Sequence, residues 1–162
     1  DIRWHFIGHL QSNKVKYIAP FVHLIHGVDS LKLLREINKQ AAKCNRVIPC
    51  LLQIYIAKEE SKFGIDESEL LEIIEASATL TNVSIQGFMG MASFTDNTKI
   101  IQNEFSHLQL LFQKHKSWIE TNGISKPILS MGMSGDYFIA IQQGSTMVRI
   151  GSLLFGARNY TT

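Results

Sequence analysis

The fold is decided by two neighbouring stretches late in the chain, Pro127-Ile-Leu-Ser-Met-Gly-Met-Ser-Gly-Asp136 and Ser145-Thr-Met-Val-Arg-Ile-Gly-Ser-Leu-Leu-Phe-Gly156. Each is a short apolar run that breaks into glycine and serine, and residues 137–143 between them have the composition of a short helix. In a βα unit, a small polar turn after a strand places backbone N–H groups and hydroxyls around an anion. Because the two turns follow consecutive strands, they match the place where (β/α)8 barrels commonly bind a phosphate.

Predicted strands and helices alternate along the rest of the chain, which indicates parallel βαβ units. Residues 46–57 are almost continuously apolar, as expected of a strand buried on both faces of a parallel sheet. Asp29 and Ser30 are expected to cap the helix that follows the second strand, and Asp66 and Glu69 have the spacing of a capping box at the start of a later helix. The predicted strands are 4–9, 22–28, 46–57, 83–89, a strand opening at Pro127, and 146–150, and the predicted helices are 15–21, 30–45, 66–80, 96–121 and 137–143.

Six strands with a phosphate-type turn after each of the last two predict an α/β fold, a (β/α)8 TIM barrel that is incomplete, with about six of its eight βα units. A single open sheet of six strands is the alternative. Complete barrels usually need about 200–250 residues, and this chain has 162. We therefore expect residues 1–162 to be one domain, a fragment whose first two strands would precede Asp1.

Composition narrows the classes of function. A net charge of +2 without a run of basic residues argues against a nucleic-acid partner. No apolar run reaches the roughly 18 residues that span a bilayer, so no membrane partner is expected. The two cysteines, Cys44 and Cys50, lack metal-ligand spacing and favour a reducing, cytoplasmic setting.

Arg149 is the most informative single residue, because a guanidinium in an otherwise apolar strand is costly to bury unless it is paired or used. Gly151 would let a ligand approach the backbone closely, and Ser152 adds a hydroxyl. Ser134, followed by Gly135, suits a phosphate in the preceding turn. Two alternatives stay open: Arg149 forms an ion pair with a helix carboxylate, and Ser134 simply caps the next helix.

Four histidines lie on the first two predicted strands, two of them near the carboxyl ends, and four methionines lie at the ends of two later strands. The histidines lack a metal-binding spacing, so packing or support of a neighbouring site is favoured over zinc. The methionines would either fill the core or form a pocket wall. No G-x-S-x-G elbow supports hydrolase chemistry. The residues concerned are His5, His9, His23 and His26, and Met89, Met91, Met131 and Met133.

Five motifs, in this order along the chain, resemble the pyridoxal phosphate homeostasis protein family, the single-domain relatives of alanine racemase. The resemblance covers essentially the whole chain. It implies a barrel of the alanine racemase type that holds pyridoxal 5′-phosphate (PLP). The motifs are Trp4-His-Phe-Ile-Gly-His-Leu-Gln-Ser-Asn-Lys14, His26-Gly-Val-Asp-Ser30, Ser61-Lys-Phe-Gly64, Leu129-Ser-Met-Gly-Met-Ser134, and Val148-Arg-Ile-Gly151 with Phe155-Gly156.

The resemblance also implies roles for individual residues. Ser134 and the turn formed by Gly151 and Ser152 would hold the phosphate, and Arg149 would face the pyridine nitrogen. A guanidinium cannot accept a proton, so it would keep that nitrogen unprotonated and the ring a weak electron sink. Further members of the implied cofactor-binding set are Ile150, Met131 and Met133.

The chain departs from the family pattern in two ways. The Schiff-base lysine of the family lies on the first barrel strand, and no lysine here matches that motif, so it is expected in a segment before Asp1. Gly27 stands where the family usually has serine, which we expect to alter local hydrogen bonding rather than the cofactor.

The resemblance implies a PLP carrier in vitamin B6 homeostasis, with no established catalytic turnover. Two alternatives remain. One is a PLP-dependent amino-acid racemase of the same barrel type, although such enzymes usually add a β-domain. The other is a barrel that binds a different phosphorylated metabolite. Protein partners are not predicted.

Overall fold

A parallel β-sheet of six strands forms the centre of the molecule. The computed structural model describes residues 1–57 and 63–156. Within them, the strands follow one another in the sheet in sequence order, and each pairs in parallel with the next. The strands are β1 (His5–Phe6), β2 (Leu24–Val28), β3 (Ile48–Gln53), β4 (Val83–Met89), β5 (Ile128–Met133) and β6 (Met147–Arg149).

Helices connect the strands and cover one face of the sheet. The longest, between β4 and β5, has 24 residues and presents the apolar side chains Phe105, Leu108 and Phe112 to the sheet. The helices are α1 (Val15–Ile18, after a 3-10 turn at Ser12–Lys14), α2 (Leu31–Lys43), α3 (Glu67–Ser77), α4 (Thr98–Thr121), α5 (Tyr137–Gln142) and α6 (Ser152–Phe155).

The strand order confirms the predicted fold class. A doubly wound sheet reverses its strand order at a switch point and carries helices on both faces. Here the order runs from β1 to β6 without reversal, so crossovers of the usual right hand place their helices on the same side of the sheet. The result is an α/β fold that corresponds to an incomplete (β/α)8 TIM barrel, in which the helices cover the outer face of the sheet.

Side chains alternate between the two faces of the sheet, so residues two apart share a face. The outer face joins the helices in one large core, which contains Ile25 of β2 and Leu129 of β5. The inner face carries a smaller apolar cluster of Leu24, Leu51 and Met89. The two faces therefore serve different purposes: the outer one holds the helices, and the inner one is free to form a site.

Helix starts follow the predicted capping signals. Ser30 accepts a hydrogen bond from the Leu33 N–H at 3.3 Å, and Asp66 forms a capping box with Glu69, which confirms both predictions. The long helix α4 begins two residues later than predicted, because Asn97 caps it by accepting from the Lys99 N–H at 3.1 Å.

Four strands, β1, β2, β3 and β6, are shorter than predicted, β1 and β3 by the most. β1 pairs with β2 alone, and the flanking Trp4 and Ile7 are exposed. Before β3, the Arg46 guanidinium donates to the Ala19 and Val22 carbonyls at 2.5 and 2.6 Å, and this ties Arg46 to the loop between α1 and β2. Of the third family motif, Ser61 and Lys62 lie outside the described residues.

Gly27 is required by a close approach between β2 and the end of β1. A Cβ atom at this position would lie 2.7 Å from the Gly8 carbonyl oxygen and 3.2 Å from that of Ile7. Both neighbours are backbone atoms, which cannot move aside as a flexible side chain could. The glycine that departs from the family pattern therefore permits the local packing of the edge strand.

We expect Gly27→Ala to lower the free energy of unfolding by about 1–3 kcal/mol, because the added methyl group overpacks against backbone. Gly8→Ala is the matched control: a Cβ there meets nothing within 4 Å, so its effect should stay within about 0.5 kcal/mol. Urea unfolding followed by circular dichroism measures both. Equal stability of the two variants would contradict the close-approach argument.

Candidate functional site

A layer of buried polar side chains lies on the inner face. It is next to the apolar cluster, two residues further along each strand toward the carboxyl end. His26 follows Leu24 by two residues on β2, Ser130 follows Ile128 on β5, and Arg149 follows Met147 on β6. Each pair shares a face by the alternation of a strand. All three polar residues are buried: His26 is 1% exposed, Ser130 0% and Arg149 8%.

Hydrogen bonds join these side chains into a chain across the sheet. The Arg149 guanidinium donates to the Ser130 Oγ at 2.8 Å and to the Gly90 carbonyl at 3.0 Å. The Ser130 hydroxyl lies 3.1 Å from Nδ1 of His26, and Nε2 of His26 lies 3.1 Å from Nδ1 of His5. Strands β1, β2, β5 and β6 and the end of β4 all contribute to this chain.

Arginine fixes a consistent direction for the protons, because it donates and never accepts. Ser130 accepts from Arg149 and is then able to donate its own proton to Nδ1 of His26. His26 in turn donates from Nε2 to Nδ1 of His5. This arrangement requires a neutral His26, and burial, followed by the nearby Arg149 and His5, lowers the pKa of His26 from 6.5 to about 3.

Arg149 keeps its charge in this setting. Burial lowers the pKa of Arg149 from 12.5 to about 10, and the Asp136 carboxylate opposes that shift. The guanidinium is therefore cationic at neutral pH. Its Nε is buried and has no hydrogen-bond partner in the described part of the chain, so the site has a donor to spare.

The ion-pair alternative for Arg149 is not what the structure shows. Among the described residues, no carboxylate lies within ion-pairing distance of its guanidinium, which instead donates to a hydroxyl and a carbonyl. The side chain points to the inner face, away from the helices.

The two glycine- and serine-rich turns meet at Ser134. Its Oγ accepts hydrogen bonds from the N–H groups of Gly151 at 3.2 Å and Leu153 at 3.4 Å. Helix α5 begins after Asp136, and no side-chain hydrogen bond from Ser134 caps it. The structure thus brings together a hydroxyl and two convergent N–H groups from separate loops, as the sequence predicted for this edge of the sheet.

Gly132 allows the first turn to form so close to α5. Its φ is 95°, in the region that favours glycine, and a Cβ there would lie 2.5 Å from the Cβ of Ala140. The strand can therefore end, turn and lead directly into the helix, which places Ser134 beside the turn that follows β6.

The structure separates the other predicted site residues. Ser152 is exposed in the same turn as Gly151, Ile150 is half-buried beside it, and Met133 is 38% exposed at the end of β5, so none of these three side chains joins the buried polar layer. The position of Met131 does not support its predicted role in the pocket. It is fully buried in the outer core that includes Leu129, because it is one residue from Ser130 and so faces the helices.

Ser130 is the inner-face residue that the sequence did not single out, whereas His26 was expected to pack or to support a neighbouring site. A lone hydroxyl residue within the apolar run at Ser130 was the available signal. Whether such a residue lies in a site depends on which face of the sheet its side chain occupies. The sequence does not give that face, because it is fixed by the register of the strand against its neighbours. The same holds for His9, which forms a 2.9 Å contact with Asp29 and stacks on Phe63 with ring centroids 4.0 Å apart.

The described residues offer neither a metal site nor a membrane-spanning helix. They contain no group of three or more His, Cys, Asp or Glu side chains placed to hold a metal ion. None of the helices found there is long and apolar enough to cross a membrane. A cavity of about 540 Å³ opens below the polar layer, against His5, His23 and Gln86.

Comparison with known proteins gives a consistent family. The model for the alanine racemase N-terminal domain matches residues 2–159. A pyridoxal phosphate homeostasis protein of Aquifex aeolicus is 42% identical over 160 residues, covering 99% of this chain and 69% of the relative. The protein of the same name from Haemophilus influenzae is 38% identical over 162 residues, covering 100% of this chain and 68% of the relative. The chain therefore spans about two thirds of the length of these curated relatives.

Solved structures agree with the fold. PipY of Synechococcus elongatus PCC7942, solved with PLP bound, is 29% identical with a TM-score of 0.85 over 96% of this chain and 71% of its own. An unknown protein of Bifidobacterium adolescentis is 35% identical with a TM-score of 0.81, over 95% of this chain and 61% of its own. An alanine racemase of Clostridium difficile, 14% identical with a TM-score of 0.71, covers 99% of this chain and 41% of its own and shares the fold alone.

The lowered pKa of His26 predicts how stability depends on pH. Between pH 6.5 and about 3, the unfolded chain binds a proton on this ring that the folded chain excludes. The free energy of unfolding should therefore fall as pH decreases through that window, and His26→Gln should reduce the slope by up to about 1.4 kcal/mol per pH unit. Part of the slope should remain, because burial also lowers the pKa of His5.

Urea unfolding at several pH values measures this slope. His107→Gln is the control, because His107 is more than half exposed on α4 and lies outside the hydrogen-bond chain. A His26→Gln slope equal to that of the original chain would show that His26 is already protonated when folded.

Proposed function

The chain belongs to the alanine racemase N-terminal domain family, among its pyridoxal phosphate homeostasis proteins, and on this premise we propose that it binds PLP and serves in PLP homeostasis. PipY, a structural neighbour with 29% identity, was solved with PLP bound. The proposal takes residues 1–162 as a single PLP-binding domain. The two free thiols, Cys44 and Cys50, support a reducing, cytoplasmic setting.

The observation that carries the proposal is the buried Arg149 with a spare donor. Its guanidinium is charged, only 8% exposed, and has an Nε without a hydrogen-bond partner among the described residues. A buried donor of this kind is costly unless a ligand accepts from it. The pyridine nitrogen of PLP is an acceptor of the right kind, so the residues present fit the group.

The Ser134 turn supplies the second half of the fit. In the proposal, the Ser134 hydroxyl and the N–H groups of Gly151 and Leu153 bind the phosphate, with Ser152 adding a hydroxyl nearby. These N–H groups already converge on one oxygen, Oγ of Ser134. Convergent backbone donors are a common anion-binding device.

PLP supplies a reactive aldehyde and an electron-withdrawing pyridine ring when it is bound. Arg149 would donate a hydrogen bond to the ring nitrogen and could not protonate it, because a guanidinium keeps its proton at neutral pH. An unprotonated ring is a weak electron sink. The chemistry of this residue therefore favours holding PLP over driving turnover on it.

The test compares two ligands by isothermal titration, PLP and pyridoxal, which lacks the phosphate. Ser134→Ala should weaken PLP about 10- to 150-fold through the loss of one hydrogen bond to a charged group, and should leave pyridoxal within about twofold. Arg149→Gln should weaken both ligands, because the ring nitrogen is common to them. The ratio of the two effects separates a phosphate contact from a ring contact.

Ser106→Ala is the matched control, since its hydroxyl bonds to Gln143 at 2.7 Å on the helix-facing side. A sugar phosphate is the competing ligand. Preference for the sugar phosphate over PLP would overturn the proposal in favour of a barrel for another phosphorylated metabolite.

A further inference from the structure

We infer that Ser130 and His26 are positioning residues for the cofactor: together they hold the Arg149 guanidinium in the orientation that faces the pyridine nitrogen of PLP. The inference rests on the proposed function and deepens it. Ser130 and His26 are not part of the Ser134 turn. Ser130 is on β5 and His26 is on β2, and both side chains lie on the inner face of the sheet. Neither residue is needed for the outer core, because both side chains point the other way.

Ser130 is one of two anchors that fix the plane of the guanidinium. It accepts from the terminal nitrogen Nη1 at 2.8 Å, and the Gly90 carbonyl accepts from Nη2 at 3.0 Å. The Gly90 anchor is a backbone atom, which no substitution of a side chain removes. The Ser130 hydroxyl is therefore the side chain that decides the rotation of the guanidinium about the remaining anchor.

His26 holds the Ser130 hydroxyl in its role as an acceptor. A hydroxyl that accepts a hydrogen bond from Arg149 can still donate one of its own, and Nδ1 of His26, 3.1 Å away, accepts it. Without that acceptor, a buried hydroxyl proton has no partner, which is costly in a site of low dielectric. His26 is held in turn by Nδ1 of His5 at 3.1 Å, so its ring orientation is also fixed.

The charges around the guanidinium agree with this arrangement. In the described part of the chain, Asp136, after β5, is the carboxylate whose charge acts on Arg149, and the two groups that accept from the guanidinium, the Ser130 hydroxyl and the Gly90 carbonyl, are neutral. The guanidinium therefore keeps its charge but is oriented by neutral acceptors. A neutral anchor leaves the full charge available to a ligand, whereas a carboxylate partner would neutralise it.

The experiment uses PLP labelled with 15N in the ring, bound to the full chain at pH 7. The original chain should show the 15N chemical shift of an unprotonated pyridine nitrogen. Ser130→Ala should weaken PLP binding about tenfold and move the shift toward that of a protonated ring. Ser130→Thr keeps the hydroxyl and should restore both readouts.

His26→Phe and His26→Gln form a second, independent pair. Phenylalanine removes the acceptor and should move the 15N shift in the same direction as Ser130→Ala, whereas glutamine retains an acceptor oxygen and should preserve the original shift. This pair keeps the inference testable if Ser130→Ala fails to fold.

Ser145→Ala is the control for a merely structural serine. Its hydroxyl, in the loop before β6, donates to the backbone carbonyl of Met131 on β5 at 2.7 Å and so affects stability alone. Ser145→Ala should lower the melting temperature and leave the 15N shift unchanged.

The outcomes separate the two proposals. If the original chain binds PLP and the Ser130 and His26 variants keep both its affinity and its 15N shift, the positioning role is overturned and the proposed function stands. If the original chain does not bind PLP, the proposed function fails, and this inference fails with it.

Discussion

The burial of one guanidinium is the constraint on which the site depends. Removing the Arg149 charge from water is costly, and the cost is offset only by acceptors at fixed positions. Those acceptors, the Ser130 hydroxyl and the Gly90 carbonyl, come from β5 and the end of β4. The register of three neighbouring strands must therefore be held within hydrogen-bonding tolerance, or a charge is left buried without partners.

The rest of the fold provides that register. Parallel strands in sequence order are separated by helices that pack on one face, and this outer core contains the large apolar side chains, such as Phe88 and Phe105. Because the hydrophobic stabilisation is concentrated there, the inner face can carry polar residues near the carboxyl ends of the strands. Gly132 and Gly27 relieve the closest approaches of the backbone, one beside the Ser134 turn and one at the edge strand.

Much of the architecture was predictable from sequence because it follows local rules. The alternation of strands and helices, the capping signals at Ser30 and Asp66, and the bounds of Val83–Met89 agree with the structure. The pairing of the two glycine- and serine-rich turns was also predictable, since the carboxyl ends of neighbouring parallel strands meet at one edge. Strand ends were less predictable, because a pattern of side chains continues beyond the last ladder hydrogen bond.

The sequence by itself determined the α/β class, the order of the elements and the two turns that meet at Ser134. Only the tertiary structure decided which face each strand residue occupies. Met131 and Ser130 are adjacent in the chain, yet one is in the outer core and the other contacts Arg149. The physical reason is the two-residue period of a strand: a shift of one residue exchanges the faces, and only the contacts between distant strands fix the register.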